Sequence, residues 1–218
     1  MRFSAVLFDL DGTLLDTLAD IAHSANRVLA ELGYPTHDID AYRQFVGEGL
    51  IVLFRKALPA EVDPDEVMAS CAEGFRVAYG REWNVRTRPY DGIRELLDAL
   101  TARQVEMAVL SNKPDAFTKQ CVREYLPEYQ FRLVLGQRDG IPRKPDPAGA
   151  LEIIDAMGVP ADEFLYLGDS AIDMKTAAAA GMHAVGALWG FRSLEELQQS
   201  GAKAVIHRPS ELLDLLEG

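Results

Sequence analysis

Two aspartates near the start of the chain, Asp9 and Asp11, follow a short apolar run and precede a glycine and a threonine. Carboxylates this close repel one another unless a cation or a shared proton relieves them, so the pair predicts a bound metal ion, an acid of raised pKa, or both. Gly12 lets the backbone turn tightly and approach a ligand, and Thr13 adds a hydroxyl group and an amide donor. The segment therefore predicts an anion site with a metal ion.

Three later segments carry polar side chains suited to the same site. Ser111 and Asn112 stand at the head of a helical pattern, where amide donors and the helix dipole favour an anion. Lys144 lies in Arg-Lys-Pro-Asp-Pro, whose two prolines stiffen the backbone around a single cation. Asp169 and Asp173 are four residues apart, which places both carboxylates on one face of a helix start. Each segment taken singly also fits a turn, a helix cap or a solvated lysine.

The elements around these segments alternate between strand and helix patterns. Residues 6–8 read as a strand buried on both faces. Further strands are predicted over 106–110, 131–135, 164–167, 184–188 and 204–206. Strands that alternate with helices indicate an α/β fold with a doubly wound parallel sheet, a Rossmann-like core. Because ligands bind at the carboxyl ends of parallel strands, we expect the polar segments to meet at one edge of the sheet.

A helical block interrupts this alternation after the first strand. Helices are predicted over 17–32, 39–46, 50–58 and 64–79, with no strand between them. We therefore expect an α/β catalytic core domain made of residues 1–15 and 88–218. A small all-helical cap domain, residues 16–87, is inserted into it.

The composition excludes several classes of partner. The 22 Lys and Arg residues against 34 Asp and Glu residues give a net charge of −12, which repels nucleic acid. No apolar run approaches the ~20 residues that span a membrane, and the first residues lack the pattern of a signal peptide. We therefore expect a cytoplasmic protein, a monomer or homodimer, with neither a nucleic-acid nor a membrane partner. Cys71 and Cys121 are isolated and predict buried thiols.

The order of these segments resembles the haloacid dehalogenase superfamily of phosphohydrolases. The first motif of that family, Asp-x-Asp-x-Thr, matches residues 9–13, and its second, a Ser or Thr after a strand, matches Ser111. The third, a lysine, matches Lys144, and the fourth, Gly-Asp-x-x-x-Asp, matches residues 168–173. The resemblance covers nearly the whole chain and includes a helical cap inserted after the first motif.

The resemblance implies a two-step phosphoryl transfer. Asp9 is expected to attack phosphorus and form an aspartyl-phosphate, while Asp11 protonates the leaving oxygen and then activates water. A magnesium ion is expected between Asp9, the main-chain carbonyl of Asp11 and Asp169. Asp173 is expected to support the metal or Lys144 indirectly, without binding the metal itself.

Binding of the phosphoryl group is expected from side chains and amides of several segments. These provide charge stabilisation and alignment rather than bond making. The expected groups belong to Gly12, Thr13, Ser111, Asn112 and Lys144.

Further stretches resemble the phosphoglycolate phosphatase branch of the family: 111–114, 144–147 and 188–191. They imply a small phosphorylated substrate, with 2-phosphoglycolate the best match. Relatives with similar patterns act as pyrophosphatases, nucleotidases or sugar-phosphate mutases, and these alternatives stay open. Asp11 argues against a dehalogenase, because halide leaves without a proton. It also argues against a signalling module phosphorylated on aspartate. A binding protein without catalytic activity is a further alternative.

The cap is expected to choose the substrate. The turn Gly47, Glu48 and Gly49 is a candidate surface for it, although an ordinary helix connection explains the same residues. A substrate carboxylate requires a cation nearby. The available cations are Arg43, Arg55, Lys56 and Lys113.

Overall fold

The structure is a computed structural model that describes residues 2–217. Its strands are β1 (Ala5–Phe8), β2 (Leu15–Asp16), β3 (Arg88–Pro89), β4 (Glu106–Pro114), β5 (Leu133–Gln137), β6 (Phe164–Gly168), β7 (His183–Ala187) and β8 (Ala204–Ile206). Its α-helices are α1 (Leu18–Glu31), α2 (Tyr42–Phe45), α3 (Leu50–Ala57), α4 (Pro64–Glu82), α5 (Ile93–Ala102), α6 (Asp115–Tyr125), α7 (Ala148–Met157), α8 (Ala171–Ala180), α9 (Leu194–Gln199) and α10 (Leu212–Glu217). Among these described helices, none has the length and apolar character that crossing a membrane requires.

One parallel sheet organises the larger part of the chain. Within residues 2–217 it has six strands in the order β5-β4-β1-β6-β7-β8. Helices cover both faces, which confirms the predicted doubly wound α/β fold. The strand β1 is central, and its four residues are fully buried, as a continuous apolar run predicts for a strand covered on both faces.

The register of β1 aligns three strand ends. Phe8, the last residue of β1, lies opposite Val109 of β4 and Leu167 of β6. The amide of Asp9 continues this pattern and donates a hydrogen bond of 2.9 Å to the carbonyl oxygen of Leu167. The residues that follow β1, β4 and β6 therefore emerge at the same edge of the sheet.

A packed apolar layer lies beneath this edge. Leu7 of β1 and Tyr166 of β6 belong to a buried cluster that also includes Ile153 of α7 and Met174 of α8. Each such side chain contributes roughly 1.5–3 kcal/mol by leaving water. The strand ends therefore pack on a buried apolar layer.

The chain packs into two compact units. Asp16–Arg88 is one, and Met1–Leu15 with Pro89–Gly218 forms the other. The chain passes between them along β2 and β3, which pair with each other as a separate two-stranded sheet. Neither short strand was predicted, because two-residue strands have no periodicity to detect.

Two contacts within the helical unit Asp16–Arg88 hold α1 against the later part of the unit. Gly74 of α4 faces α1, where a Cβ would lie only 3.1 Å from the side chain of Val28. Asp20 of α1 is buried and accepts hydrogen bonds of 2.9 Å from the amides of Arg86 and Thr87. These bonds connect the beginning of the unit to its end.

Two predicted elements differ from the observed ones. The predicted helix over 39–46 is a 3-10 turn, Ile39–Ala41, followed by the short helix α2. The strand predicted over 106–110 extends to Pro114, so Ser111 and Asn112 lie in β4 rather than in a loop before the helix. Polar residues usually signal a turn, but pairing with β5 continues to Pro114, with an irregular register after Leu110.

Candidate active site

The first polar segment follows β1 directly and is mostly buried. The side chain of Asp9 is only 10% exposed. The chain then turns back on itself, because the amide of Leu14 donates to the carbonyl of Leu10 (3.0 Å) and that of Gly12 donates to the carbonyl of Leu15 (2.9 Å). This turn holds Asp11 and Thr13 beside the end of the central strand. Sequence spacing alone predicted this arrangement.

Lys144 lies at the centre of the site. Its Nζ atom is 2.7 Å from Oδ1 of Asp9, 2.7 Å from Oδ1 of Asp173 and 3.0 Å from the carbonyl oxygen of Leu110. Burial opposes a charge on this lysine, but the carboxylates of Asp173 and Asp9 outweigh it and raise the pKa of Lys144 well above its usual value. Lys144 is therefore a fixed positive charge.

Asn112 connects the second and third polar segments. Its Oδ1 accepts a hydrogen bond of 2.9 Å from the amide of Lys144, and its Nδ2 donates one of 3.1 Å to the Lys144 carbonyl. Asn112 was predicted among the phosphate-binding residues. Its side chain is bonded to the Lys144 backbone, and a phosphate contact from its main-chain amide stays a prediction.

The fourth segment combines a helix cap with two buried carboxylates. The hydroxyl of Ser170 donates to Oδ2 of Asp173 (2.6 Å), and the two residues form a capping box at the start of α8. Asp169 accepts a hydrogen bond of 2.7 Å from the amide of Phe191. This contact was not predictable, because Phe191 lies after β7 and carries no polar side chain.

Asp9, Asp169 and Asp173 form a buried acidic cluster in which one carboxylate oxygen from each residue lies within 4.8 Å of those from the other two. Burial raises the pKa of Asp9 to about 7, against the opposing effect of Lys144. Burial and the neighbouring Asp173 also raise the pKa of Asp169 well above its usual value. Lys144 cannot compensate three carboxylates, so without a further cation the cluster keeps protons, and its oxygen donors suit a hard cation such as magnesium.

The observed acidic cluster differs in one respect from the predicted set of metal ligands. The predicted set was Asp9, Asp11 and Asp169, with Asp173 behind them. The acidic cluster includes Asp173 directly, while a contribution from the main-chain carbonyl of Asp11 stays a prediction.

Lys113 adds a second buried cation. Its Nζ atom lies 2.9 Å from Oδ1 and 3.2 Å from Oδ2 of Asp11. Lys113 was predicted only as a partner for a substrate carboxylate. The contact with Asp11 spans 102 residues of sequence, so no local pattern could reveal it.

Ser111 and Thr13 are both buried at the site. Oγ of Ser111 accepts a hydrogen bond of 3.2 Å from the amide of Lys113. Oγ1 of Thr13 has no hydrogen-bond partner among the described residues. A buried hydroxyl without a partner costs roughly 1–3 kcal/mol, and a ligand oxygen is one way to relieve that cost.

Three glycines surround the acidic cluster. A Cβ on Gly12 would lie 2.3 Å from Oδ2 of Asp169, and one on Gly190 would lie 2.3 Å from the Asp169 Cβ. A Cβ on Gly168 would lie 2.3 Å from the Cβ of Asp173. Gly12 also has a φ of +91°, which favours glycine. The carboxylates can hold their positions only because these side chains are absent.

The cap candidates are described within the helical unit alone. Gly47 and Gly49 have φ values of +117° and +89° on either side of Glu48. Glu48 pairs with Lys56 at 2.7 Å. Arg55 pairs with Asp65 at 2.9 Å, and Arg43 pairs with Asp40 at 2.8 Å. A substrate contact from any of them stays a prediction.

Comparisons with known proteins agree with the geometry. The model of the haloacid dehalogenase-like hydrolase family matches residues 6–187. The phosphoglycolate phosphatase of Pseudomonas syringae pv. tomato is 36% identical over 92% of this chain and 75% of that protein. The phosphoglycolate phosphatase of Pseudomonas putida KT2440 is 36% identical over 98% of this chain and 78% of that protein. A crystal structure from Lactobacillus delbrueckii subsp. bulgaricus superposes with a TM-score of 0.92 at 31% identity, over 99% of both chains.

Proposed function

Because the chain belongs to the haloacid dehalogenase-like hydrolase family, we propose that it is a magnesium-dependent phosphatase whose substrate is 2-phosphoglycolate. The observation that best supports this proposal is the buried carboxylate of Asp9. It lies 2.7 Å from Nζ of Lys144 at the carboxyl end of the central strand. This proximity of a carboxylate and an ammonium group supports the proposal that Asp9 attacks a phosphoryl group held by Lys144. The names of the Pseudomonas relatives support the choice of substrate.

In this proposal Asp9 is the nucleophile. A carboxylate oxygen of Asp9 attacks phosphorus, the bond from phosphorus to the substrate oxygen breaks, and an aspartyl-phosphate forms. Asp11 gives its proton to the leaving oxygen and later takes one from water as that water attacks phosphorus. Cleavage of the phosphorus bond to Asp9 then releases inorganic phosphate.

The remaining polar groups stabilise the charge that develops on phosphorus. Lys144 offers its ammonium group, and Ser111 and Thr13 offer hydroxyl groups. The amide of Asn112 is proposed to complete the phosphate site, and the Gly12 amide would join it only by exchanging its bond of 2.9 Å to the Leu15 carbonyl oxygen. These groups align the substrate and stabilise charge, because phosphoryl transfer requires little covalent chemistry from the protein.

Magnesium is the proposed cofactor, held by Asp9, Asp169 and the main-chain carbonyl of Asp11. Asp173 either joins this set or supports Lys144, to which it is bonded at 2.7 Å. When bound, the ion would neutralise charge on the phosphoryl oxygens and keep nearby carboxylates ionised. The raised pKa values of Asp9 and Asp169 support a cation at this place.

The helical unit is the proposed source of substrate choice. Phosphoglycolate carries a carboxylate besides its phosphate, and a chain of net charge −12 must meet it with local positive charge. Arg43, Arg55 and Lys56 are the cap candidates, with the turn at Glu48 as the proposed substrate-facing surface. Their present partners form exposed ion pairs, which are weak enough to exchange.

Phosphate release from a substrate panel tests the proposal. The panel contains 2-phosphoglycolate, pyrophosphate, nucleoside monophosphates and hexose phosphates, each with magnesium and with a chelator, and Asp9→Asn serves as the blank. We expect magnesium-dependent turnover with 2-phosphoglycolate preferred. Equal rates on all compounds contradict the substrate, and preference for another compound selects one of the alternative activities. An inert protein would favour a binding role.

A chemical trap tests the intermediate independently of the substrate. Borohydride reduces an acyl phosphate to an alcohol, so quenched turnover mixtures should contain homoserine at position 9 by mass spectrometry. Asp9→Asn protein provides the control. Trapping without rapid phosphate release would instead support a signalling module.

The proposed setting is the cytoplasm, with the protein acting as a monomer or homodimer. Sedimentation at several protein concentrations distinguishes these two states.

A further inference from the structure

Lys113 and Asp11 form a two-point contact at the edge of the sheet. The lysine ammonium lies within 3.2 Å of both carboxylate oxygens of Asp11. The side chain of Lys113 is 5% exposed and that of Asp11 is 13% exposed. Water therefore competes weakly for this pair, and truncating one partner leaves a nearly buried charge on the other.

The backbone of Lys113 is fixed on several sides. Its carbonyl accepts a hydrogen bond of 3.1 Å from the hydroxyl of Thr118, and its amide donates to Oγ of Ser111. Gly136 packs closely against it, since a Cβ there would lie 2.6 Å from the Lys113 carbonyl oxygen. The lysine thus extends from a rigid base toward a residue on a turn.

We propose that Lys113 is a positioning residue that holds the carboxyl group of Asp11 in line with the oxygen that leaves the phosphate. The inference rests on the proposed function, in which Asp11 moves the proton. Proton transfer needs a heavy-atom distance of roughly 2.6–3.2 Å, and a misplacement of about 1 Å can cost ~10²-fold in rate. A carboxyl group on a turn meets that demand only if something fixes its rotamer.

This role differs from the one that the sequence suggests for Lys113. A lysine that binds the carboxylate of the substrate would act on affinity and would matter only for substrates that carry a carboxylate. A lysine that orients Asp11 acts on the chemical step. In the step that breaks the ester bond it matters only where the leaving oxygen needs a proton, whereas in the later attack of water it matters equally for every ester.

The test compares leaving groups in Lys113→Met. The alkoxides released from 2-phosphoglycolate and from propyl phosphate both need a proton, whereas the nitrophenolate of p-nitrophenyl phosphate leaves without one. We expect kcat/KM, which reports the steps up to release of the alcohol, to fall ~10²-fold on both alkyl phosphates and less than about 5-fold on p-nitrophenyl phosphate. Lys113→Arg should restore part of the loss on the alkyl phosphates.

A double-mutant cycle shows whether the lysine acts through Asp11. Asp11→Asn should lose activity on the alkyl phosphates, and adding Lys113→Met should cause less than about 3-fold further loss, because the two residues act as one unit. Lys119→Met is the matched control, since Lys119 also pairs with an aspartate, Asp115, at 2.8 Å but has no proposed role in the site. It should leave every rate unchanged.

Three outcomes overturn the inference. A KM that rises for 2-phosphoglycolate but not for propyl phosphate assigns Lys113 to the substrate carboxylate. Equal losses of kcat/KM on all three esters assign it to the phosphate or to folding, which circular dichroism and a second neutral variant, Lys113→Gln, separate. Additive losses in the cycle show that it acts apart from Asp11. Failure of the proposed function is distinct, because the unmodified protein would then hydrolyse none of the esters.

Discussion

Lys144 and Asp173 form a buried ion pair in which Nζ lies 2.7 Å from Oδ1 and the side chains are only 5% and 1% exposed. The other oxygen of Asp173 accepts from the hydroxyl and amide of Ser170. Asp173 therefore connects the proposed phosphate-binding lysine to the first turn of α8. Any change at either residue affects both the stability of the fold and the chemistry of the site.

Lys144→Ala should lower kcat by orders of magnitude and also lower the free energy of unfolding. It leaves Asp9 and Asp173 without their shared cation, and breaking a buried pair on one side costs roughly 3–5 kcal/mol. Steady-state phosphate release and urea unfolding measure the two effects. Lys119→Ala, at an exposed ion pair, is the control. Near-normal turnover in Lys144→Ala would refute the role of the lysine.

Asp173→Asn and Ser170→Ala separate the cap from the ion pair. Ser170→Ala removes the cap hydroxyl and should cost about 1 kcal/mol of stability. Asp173→Asn also removes the charge opposite Lys144, so we expect kcat to fall by at least about 10-fold more than in Ser170→Ala. Thermal unfolding and kcat on the preferred ester are the measurements. Similar kinetics in the two variants would mean that Asp173 serves only as a cap partner.

The stability of the metal-free protein should fall as the pH rises from about 4 to about 7. Burial raises the pKa of Asp9 from 3.8 to about 7, so the folded protein keeps a proton that the unfolded chain releases. Ionisation in this interval therefore favours unfolding, by at most about 4 kcal/mol for this group. Asp169, whose pKa is also raised, acts in the same direction.

Urea unfolding in a chelator at pH 5, 6, 7 and 8 measures this slope. Magnesium should flatten it, because a cation favours the ionised carboxylates, and Asp9→Asn should reduce it. A metal-free protein that becomes more stable across this pH range would contradict the predicted sign.

Gly190→Ala should lower magnesium affinity and activity by at least about 10-fold. The added methyl group would lie 2.3 Å from Cβ and 2.5 Å from Oδ2 of Asp169, so a proposed metal ligand must move. Gly140→Ala is the matched control: it has a φ of +78° and nothing within 4 Å of the added Cβ. Gly140→Ala should cost about 1 kcal/mol of stability and retain activity. Magnesium titration followed by protein fluorescence, together with kcat, compares the two.

The sequence was sufficient to predict the parallel sheet and the proximity of four charged residues: Asp9, Lys144, Asp169 and Asp173. Apolar runs ending in polar residues are local signals, and parallel pairing brings such ends together. The bonds from Asn112 to Lys144 and from Lys113 to Asp11 were not predictable. They depend on the register between distant segments and on the continuation of β4, where pairing with β5 overrides the turn preference of Ser111 and Asn112.

The helical unit Asp16–Arg88 shows a different limit of prediction from sequence. Its helices α1, α3 and α4 follow clear periodicity, so their existence was predictable. The direction of Arg55 and Lys56 was not, because exposed charged side chains choose among several partners of similar energy. The substrate role of Gly47, Glu48 and Gly49, like the division into domains, stays a prediction.

Members of this family can lose activity by substitution of Gly12, Gly168 or Gly190. Each contributes to the acidic cluster by having no side chain, so a copy of the gene could preserve Asp9, Asp11, Lys144, Asp169 and Asp173 and still lose its activity through one added methyl group. A signature that scores only charged residues would count such a copy as intact. Inactive relatives should therefore be sought first among sequences whose acidic and basic residues are complete but whose glycines are not.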